Sequence, residues 1–214
     1  MEDIAIRIEH VYKKFNGDVV LNDINHNFER GKIHGVVGNN GSGKTVLFKC
    51  ICGFMFPSKG RIFIDYEQVG VDIDFPDDMG IIIETPGFLP NISGFKNLQI
   101  LASLKRKIGN REIRKAIQQV GLDPDIKKHV GQYSLGMRQR LGIAQAIMED
   151  PAYLILDEPF NGLDKNGVRE MRIIIKELCA KGKTILLASH NVIDIEELCD
   201  TVCEIDRGIL TVIR

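Results

Sequence analysis

The segment Gly38-Asn39-Asn40-Gly41-Ser42-Gly43-Lys44-Thr45 constrains this chain more than any other. It follows a short apolar run, Ile33 to Val37, that reads as a buried strand. It precedes Val46, Leu47, Cys50 and Ile51, whose spacing predicts a helix from Thr45 to Cys52, ended by Gly53. Strand, glycine loop and helix in that order fit the pattern G-x-x-x-x-G-K-[ST]. In that pattern the glycines let backbone N–H groups wrap an anion without Cβ clashes, and the N-terminus of the following helix extends the nest. Lys44 is placed to reach the β- and γ-phosphates of a nucleoside triphosphate, and Thr45 to set its hydroxyl on Mg2+.

The rest of the chain predicts an α/β fold with one interruption. Ile4, Ile6 and Ile8 alternate as in a strand, and a second strand region runs over 19–28, closed by the turn Glu29-Arg30-Gly31-Lys32. A turn at Pro57 to Gly60 leads into a strand over 61–64, and Gly80 to Ile83 reads as another buried strand. Beyond Pro86 and Pro90 the texture becomes helical, over 94–107, 111–121 and 134–148. The last has Leu141, Ala144, Ile147 and Met148 at spacings of three and four. Strands at 153–156 and 184–188 then alternate with helices at 166–181 and 192–199, and a hairpin around Asp206-Arg207-Gly208 follows. This alternation implies a mostly parallel, doubly wound core.

Composition sets further limits. The 214 residues suit one domain, 44% apolar and 27% charged, and the net charge of −1 gives no reason to expect nucleic-acid binding. The five cysteines, Cys50, Cys52, Cys179, Cys199 and Cys203, have neither zinc-like spacing nor an even count, so buried apolar thiols are expected. The start, Met1-Glu-Asp-Ile-Ala, lacks the pattern of a signal peptide. The longest apolar runs are far shorter than a membrane span, so work at a membrane would need another chain to cross it.

The apolar run Leu154-Ile155-Leu156 ends in two acids, Asp157 and Glu158. Charges after a buried strand lie at its carboxyl edge, where open α/β sheets bind ligands. Asp157 is placed to hold Mg2+, and Glu158, one residue on and pointing elsewhere, to orient or deprotonate an attacking water. His190, just after the strand over 184–188, should reach the same edge. His10, His26, His34 and His129 lack such context and read as structural or surface.

The segment Tyr133-Ser134-Leu135-Gly136-Met137-Arg138-Gln139-Arg140 resembles the signature motif of ABC ATPases, usually Leu-Ser-Gly-Gly-Gln, and lies about where the family has it before the Asp-Glu strand. In order, Phe15 stands where the family has an aromatic that stacks on adenine, with Tyr12 an alternative. Asn161 to Asp164 resembles the D-loop, Ser189-His190 the switch histidine, and Pro86 to Asn97 the segment after the Q-loop. The resemblance covers essentially the whole chain. It implies a single domain, 1–214: a P-loop NTPase core with a mostly parallel sheet and an N-terminal antiparallel β subdomain (1–88 and 150–214), and an inserted α-helical subdomain at about 89–149. It also implies an ATPase working with ATP and Mg2+ as a head-to-tail dimer, in which Ser134 and Gly136 of one copy touch the γ-phosphate held by the other.

In that scheme Glu158 is the general base and His190 and Lys44 act on the γ-phosphate. Phe15, Gly38, Asn39, Asn40, Gly41, Ser42, Gly43, Lys44 and Thr45 bind the nucleotide, and Thr45, Asp157 and Glu84 hold the metal. Two departures stand out. Glu84 replaces the usual Gln, adding negative charge near the metal, and the signature carries Leu135 for a glycine and Met137 for Gln. The combination of Ile-Glu-Thr-Pro-Gly-Phe with Ser-Leu-Gly-Met-Arg-Gln-Arg is similar to the bacitracin and lantibiotic export type. The implied partners are a membrane-spanning permease and a second copy or a paralogue, with the chain cytoplasmic and peripheral on the inner face of the membrane. The alternative is a soluble ABC ATPase of cofactor assembly; a small-molecule kinase would leave the signature unexplained.

Overall fold

The computed structural model describes residues 3–214. An N-terminal hairpin joins β1 (Ile4–Phe15) and β2 (Asp18–Glu29). Both strands run further toward the tip than the alternation predicts, because the turn between them is Asn16-Gly17. Both residues are left-handed (φ 48° and 96°), which suits the right-handed twist of the flanking strands. Then come β3 (Ile33–Val37), α1 (Lys44–Ile51), β4 (Lys59–Ile64), a two-residue β5 (Glu67–Gln68) and β6 (Met79–Ile82). The helical block holds α2 (Gly94–Lys105), α3 (Asn110–Gln119) and α4 (Leu135–Ile147). The chain ends with β7 (Tyr153–Asp157), α5 (Lys165–Ala180), β8 (Thr184–Ala188), α6 (Val192–Leu198), β9 (Thr201–Asp206) and β10 (Ile209–Val212).

Two sheets result. One is antiparallel, ordered β2-β1-β4-β5. The other is ordered β10-β9-β3-β8-β7-β6 and is parallel except for the β9–β10 hairpin. The central strands β7 and β8 are buried along their whole length, which accounts for their unbroken apolar runs. Their side chains alternate between two cores. Leu154, Leu156, Ile185 and Leu187 join the helical block and α5, whereas Tyr153, Ile155, Leu186 and Ala188 join α1 and the antiparallel sheet. The sheet is thus clamped between layers, and the carboxyl ends of β3, β8 and β7, adjacent in that order, open on one edge. Four of the cysteines are buried, Cys179 is half-buried, and all five are unpaired thiols. Burial pushes their pKa values up. No helix among the described residues is long and apolar enough to cross a membrane.

Candidate functional site

The loop from Gly38 to Gly43 is a turn that only glycine completes at its ends. Gly38, Gly41 and Gly43 have φ of 143°, 80° and 114°. A Cβ on Gly38 would run into the carbonyl oxygen of Ile205, and one on Gly43 would stand 3.0 Å from both Val20 O and Leu21 Cδ2. The loop is therefore walled by the N-terminal hairpin on one side and β9 on the other, and Gly208 N donates to Ser42 O at 3.2 Å. Ser42 Oγ is buried and makes no hydrogen bond among the described residues.

Lys44 opens α1 and is 8% exposed. Its ammonium donates to Gly38 O at 2.6 Å and Asn39 O at 3.1 Å. Two neutral carbonyl oxygens are weak compensation for a buried cation, which gains most from an anion brought to it. Thr45 Oγ1 donates to Asp157 Oδ2 at 2.6 Å. Burial raises the Asp157 pKa, the Thr45 hydrogen bond and Lys44 oppose the rise, and Glu84 adds to it. A hydroxyl paired with a buried carboxylate beside a lysine is a donor set that fits Mg2+ carried by phosphates, since Mg2+ takes one or two protein oxygens and keeps phosphate and water for the rest.

Glu158, just past β7, has a left-handed backbone (φ 51°), a conformation costing roughly 1–2 kcal/mol for a non-glycine residue. Its N–H donates to Ala188 O at 2.9 Å, and its Oε2 accepts from His190 Nδ1 at 2.8 Å. The strain is held from a third element as well. Gln139 of α4 is buried and donates to Pro159 O at 2.9 Å and Glu158 O at 3.4 Å. Glu84, also left-handed (φ 60°), is exposed and pairs with Lys49 of α1 at 2.6 Å.

These residues meet in a cleft of about 370 Å³ lined by Asn40, Gly41, Gly43, Lys44, Thr45, Glu84, Asp157 and Glu158. Gly38, Asn39 and His190 line an adjoining hollow, with Asn40 shared between the two. Phe15 lines neither; it is exposed near the tip of the first hairpin, with Lys13 Nζ 5.2 Å from its ring centroid. Tyr12 lines neither hollow. Ser134 and Gly136 stand outside both. Ser134 is exposed and caps α4, its Oγ accepting from Met137 N at 3.2 Å.

The sequence reading did not single out Val20, Arg138, Gln139 or Asn161 as parts of the cleft wall. Gln139 was the findable one, a polar residue on the buried face of an otherwise apolar helical stripe. Leu135 also lines the cleft and packs on Gly162, whose absent Cβ leaves the room: a Cβ there would stand 2.5 Å from Leu135 Cδ2.

Known proteins share the sequence pattern and the fold of this chain. The family described as ABC transporter matches residues 21–161. The ABC transporter ATP-binding protein YybJ of Bacillus subtilis (strain 168) is 42% identical over 203 residues, covering 95% of this chain and 93% of the relative. The bacitracin transport ATP-binding protein BcrA of Enterococcus faecalis is 40% identical over 209 residues, 96% of this chain and 68% of its own length. Among solved structures, MJ0796, a bacterial ABC transporter cassette in dimeric form, superposes with a TM-score of 0.87 at 20% identity, over 98% of this chain and 99% of that one.

Proposed function

This chain belongs to the ABC transporter ATP-binding family, and from that premise we propose that it closes as a dimer on two Mg·ATP and drives a membrane-spanning exporter of a peptide antibiotic or similar compound. The observation that carries the reading is the buried Lys44 ammonium with neutral partners, set inside a loop of left-handed glycines.

In this mechanism the N–H groups of Gly41 to Thr45 and the Lys44 ammonium hold the phosphates, and Thr45 and Asp157 hold Mg2+, with Glu84 as a further ligand. Held by these residues, Mg2+ would supply positive charge against the negative charge that builds on the phosphate oxygens. Glu158 accepts a proton from the attacking water and keeps it aimed at the γ-phosphorus. His190, hydrogen-bonded to Glu158 through Nδ1, sets the direction of that carboxylate and presents its other nitrogen to the γ-phosphate. Ser134 and Gly136, at the exposed N-terminus of α4, contact the γ-phosphate held by the opposite subunit; the Ser134 hydroxyl accepts within its own helix and donates across the interface. Phe15 stacks on the adenine.

Contact from both subunits makes closure depend on the γ-phosphate, and its loss reopens the dimer. The permease docks on the surface from Glu84 to Leu98. There a groove of mixed character, lined by Phe54, Ile83, Thr85, Pro86, Gly142 and Gln145, lies between the sheet and the helical block. The chain thereby sits on the inner face of the membrane. BcrA, named for bacitracin transport, supports the substrate class.

Glu158→Gln tests the assignment. Phosphate release should fall by roughly 10²–10⁴-fold, the usual contribution of a general base. Gel filtration with ATP should show a trapped dimer, and turnover at the wild-type rate would sink the mechanism.

A further inference from the structure

His190 stands in a loop whose two shoulders are pinned by one hydroxyl and one buried carboxylate. Ser189 Oγ donates to Asp194 Oδ2 at 2.8 Å and accepts from Asn191 N–H at 3.1 Å, so the residues before and after His190 are fixed together. Asp194 is 2% exposed. Its other oxygen, Oδ1, accepts from Arg172 Nε at 2.9 Å and from the same guanidinium's Nη2. Arg172 Nη1 lies 2.8 Å from Glu197 Oε2, one turn further along α6.

Arg172 projects from α5. That helix starts where Asn161-Gly162-Leu163-Asp164 ends, and Asp164 Oδ1 caps it by accepting from Gly167 N at 2.7 Å. The connections form a closed ring. From Glu158 the chain runs through the 161–164 segment into α5, across Arg172 to Asp194, through Ser189 to His190, and back to Glu158 Oε2. A buried ion pair is a poor way to gain stability, since apolar residues of like volume serve as well or better. What the pair provides here is direction. Asp194 has one oxygen locked by a guanidinium fork, so the other presents a fixed acceptor to Ser189.

We propose that Asp194, anchored by Arg172, is the positioning residue that holds His190 against Glu158. Ser189 carries the connection, and Arg172 fixes the Asp194 carboxylate that Ser189 meets. The proposal rests on the reading of Glu158 and His190 as the hydrolytic pair. It extends the ATPase machinery to residues that touch neither nucleotide nor metal.

The test is steady-state ATP hydrolysis by Ser189→Ala, Ser189→Thr and Asp194→Asn, with nucleotide affinity and thermal unfolding measured on each protein. Ser189→Ala leaves the ion pair intact. It should lower kcat roughly tenfold, a modest value for lost orientation of a catalytic group. The KM for ATP and the nucleotide affinity should stay within about twofold, because the phosphate loop is untouched. Ser189→Thr keeps the hydroxyl and should restore kcat. In a His190→Ala background, Ser189→Ala should remove nothing further. Asp194→Asn should show the same loss of kcat at constant KM; if it does not fold, Arg172→Lys, which keeps the charge and breaks the fork, replaces it.

An unchanged kcat in Ser189→Ala, with His190→Ala inactive, would overturn the positioning role and leave the catalytic reading standing. Losses that multiply between Ser189→Ala and His190→Ala would overturn it too. Wild-type turnover by His190→Ala would instead overturn the catalytic reading on which the proposal rests.

Discussion

Two loops in this molecule end in a helix N-terminus able to bind an anion, and they are built in opposite ways. The loop of Gly38 to Thr45 is enclosed. Gly38 is wedged against Ile205 and Gly43 against Val20, the loop's lysine is buried, and the helix behind it packs into the core. The loop at Ser134 to Gly136 is open. Its serine and leucine are exposed, and it lines no wall of the phosphate cleft except through Leu135. Enclosure gives a site that can hold a ligand from within one chain. An open helix end gives a weak site that gains strength only when a second surface excludes water from it. On the dimer reading proposed above, the difference teaches that one chain would carry a finished half-site and an unfinished one.

The sharpest way to break this comparison is to disarm each loop in turn. Lys44→Ala should weaken nucleotide binding by about 100-fold, equivalent to roughly 3 kcal/mol for a lost charge-assisted bond to phosphate. Ser134→Ala should leave single-chain affinity within about twofold while abolishing ATP-induced dimerisation, since its hydroxyl is proposed to act across subunits. Fluorescent-nucleotide titration and light scattering read both. Equal losses of affinity would mean that the two loops form one site within the chain.

A smaller effect tests how the open loop is propped. Gly162 is left-handed (φ 77°) and its missing Cβ makes room for Leu135. Gly162→Ala should cost about 1–2 kcal/mol of stability through backbone strain and overpacking. Leu135→Ala in the same protein should recover only the packing share, which denaturant unfolding can measure.

An effect that is mild at neutral pH and grows on acidification lies in the N-terminal hairpin and the strand beside it. Burial depresses the pKa of His26 from 6.5 to about 4 and lowers that of His34, whose ring nitrogens contact Thr201 Oγ1 and Glu29 O. A depressed histidine favours the folded state while neutral. Its contribution is therefore full above pH 6.5 and is lost as pH falls toward 4. His26→Phe should flatten that decline, and hydrogen exchange should place the early opening in β1 and β2 rather than in α2 and α3.

The enclosed half was the more legible in sequence. Gly38 to Thr45, Asp157 and Glu158 mark themselves because charge or glycine follows directly on an apolar strand, and α/β alternation predicts that the strand ends share an edge. His190 reached that edge by the same logic. What the sequence left unread depends on contacts between distant segments. The length of the first hairpin turned on Asn16-Gly17, a two-residue signal inside a polar stretch. The fit of Leu135 on Gly162 joins residues that look unrelated until α4 and the 161–164 segment are packed. Gln139 holds the strained Glu158 from another layer, and the Lys49 partner of Glu84 is invisible without the turn that brings α1 to β6. Phe15 was placed by resemblance, and in the structure it stands apart from the phosphate cleft.

The walls of the phosphate loop come from segments far apart in sequence: Val20 from the first hairpin, Ile205 and Gly208 from β9 and the turn after it. A ribosome finishes the loop well before residues 205–208 of its second wall are made. Until then Gly38 faces no carbonyl and Ser42 no N–H donor, so a nascent chain carrying the full loop sequence still lacks its shape. Nucleotide binding thus reports that synthesis and folding have passed Gly208.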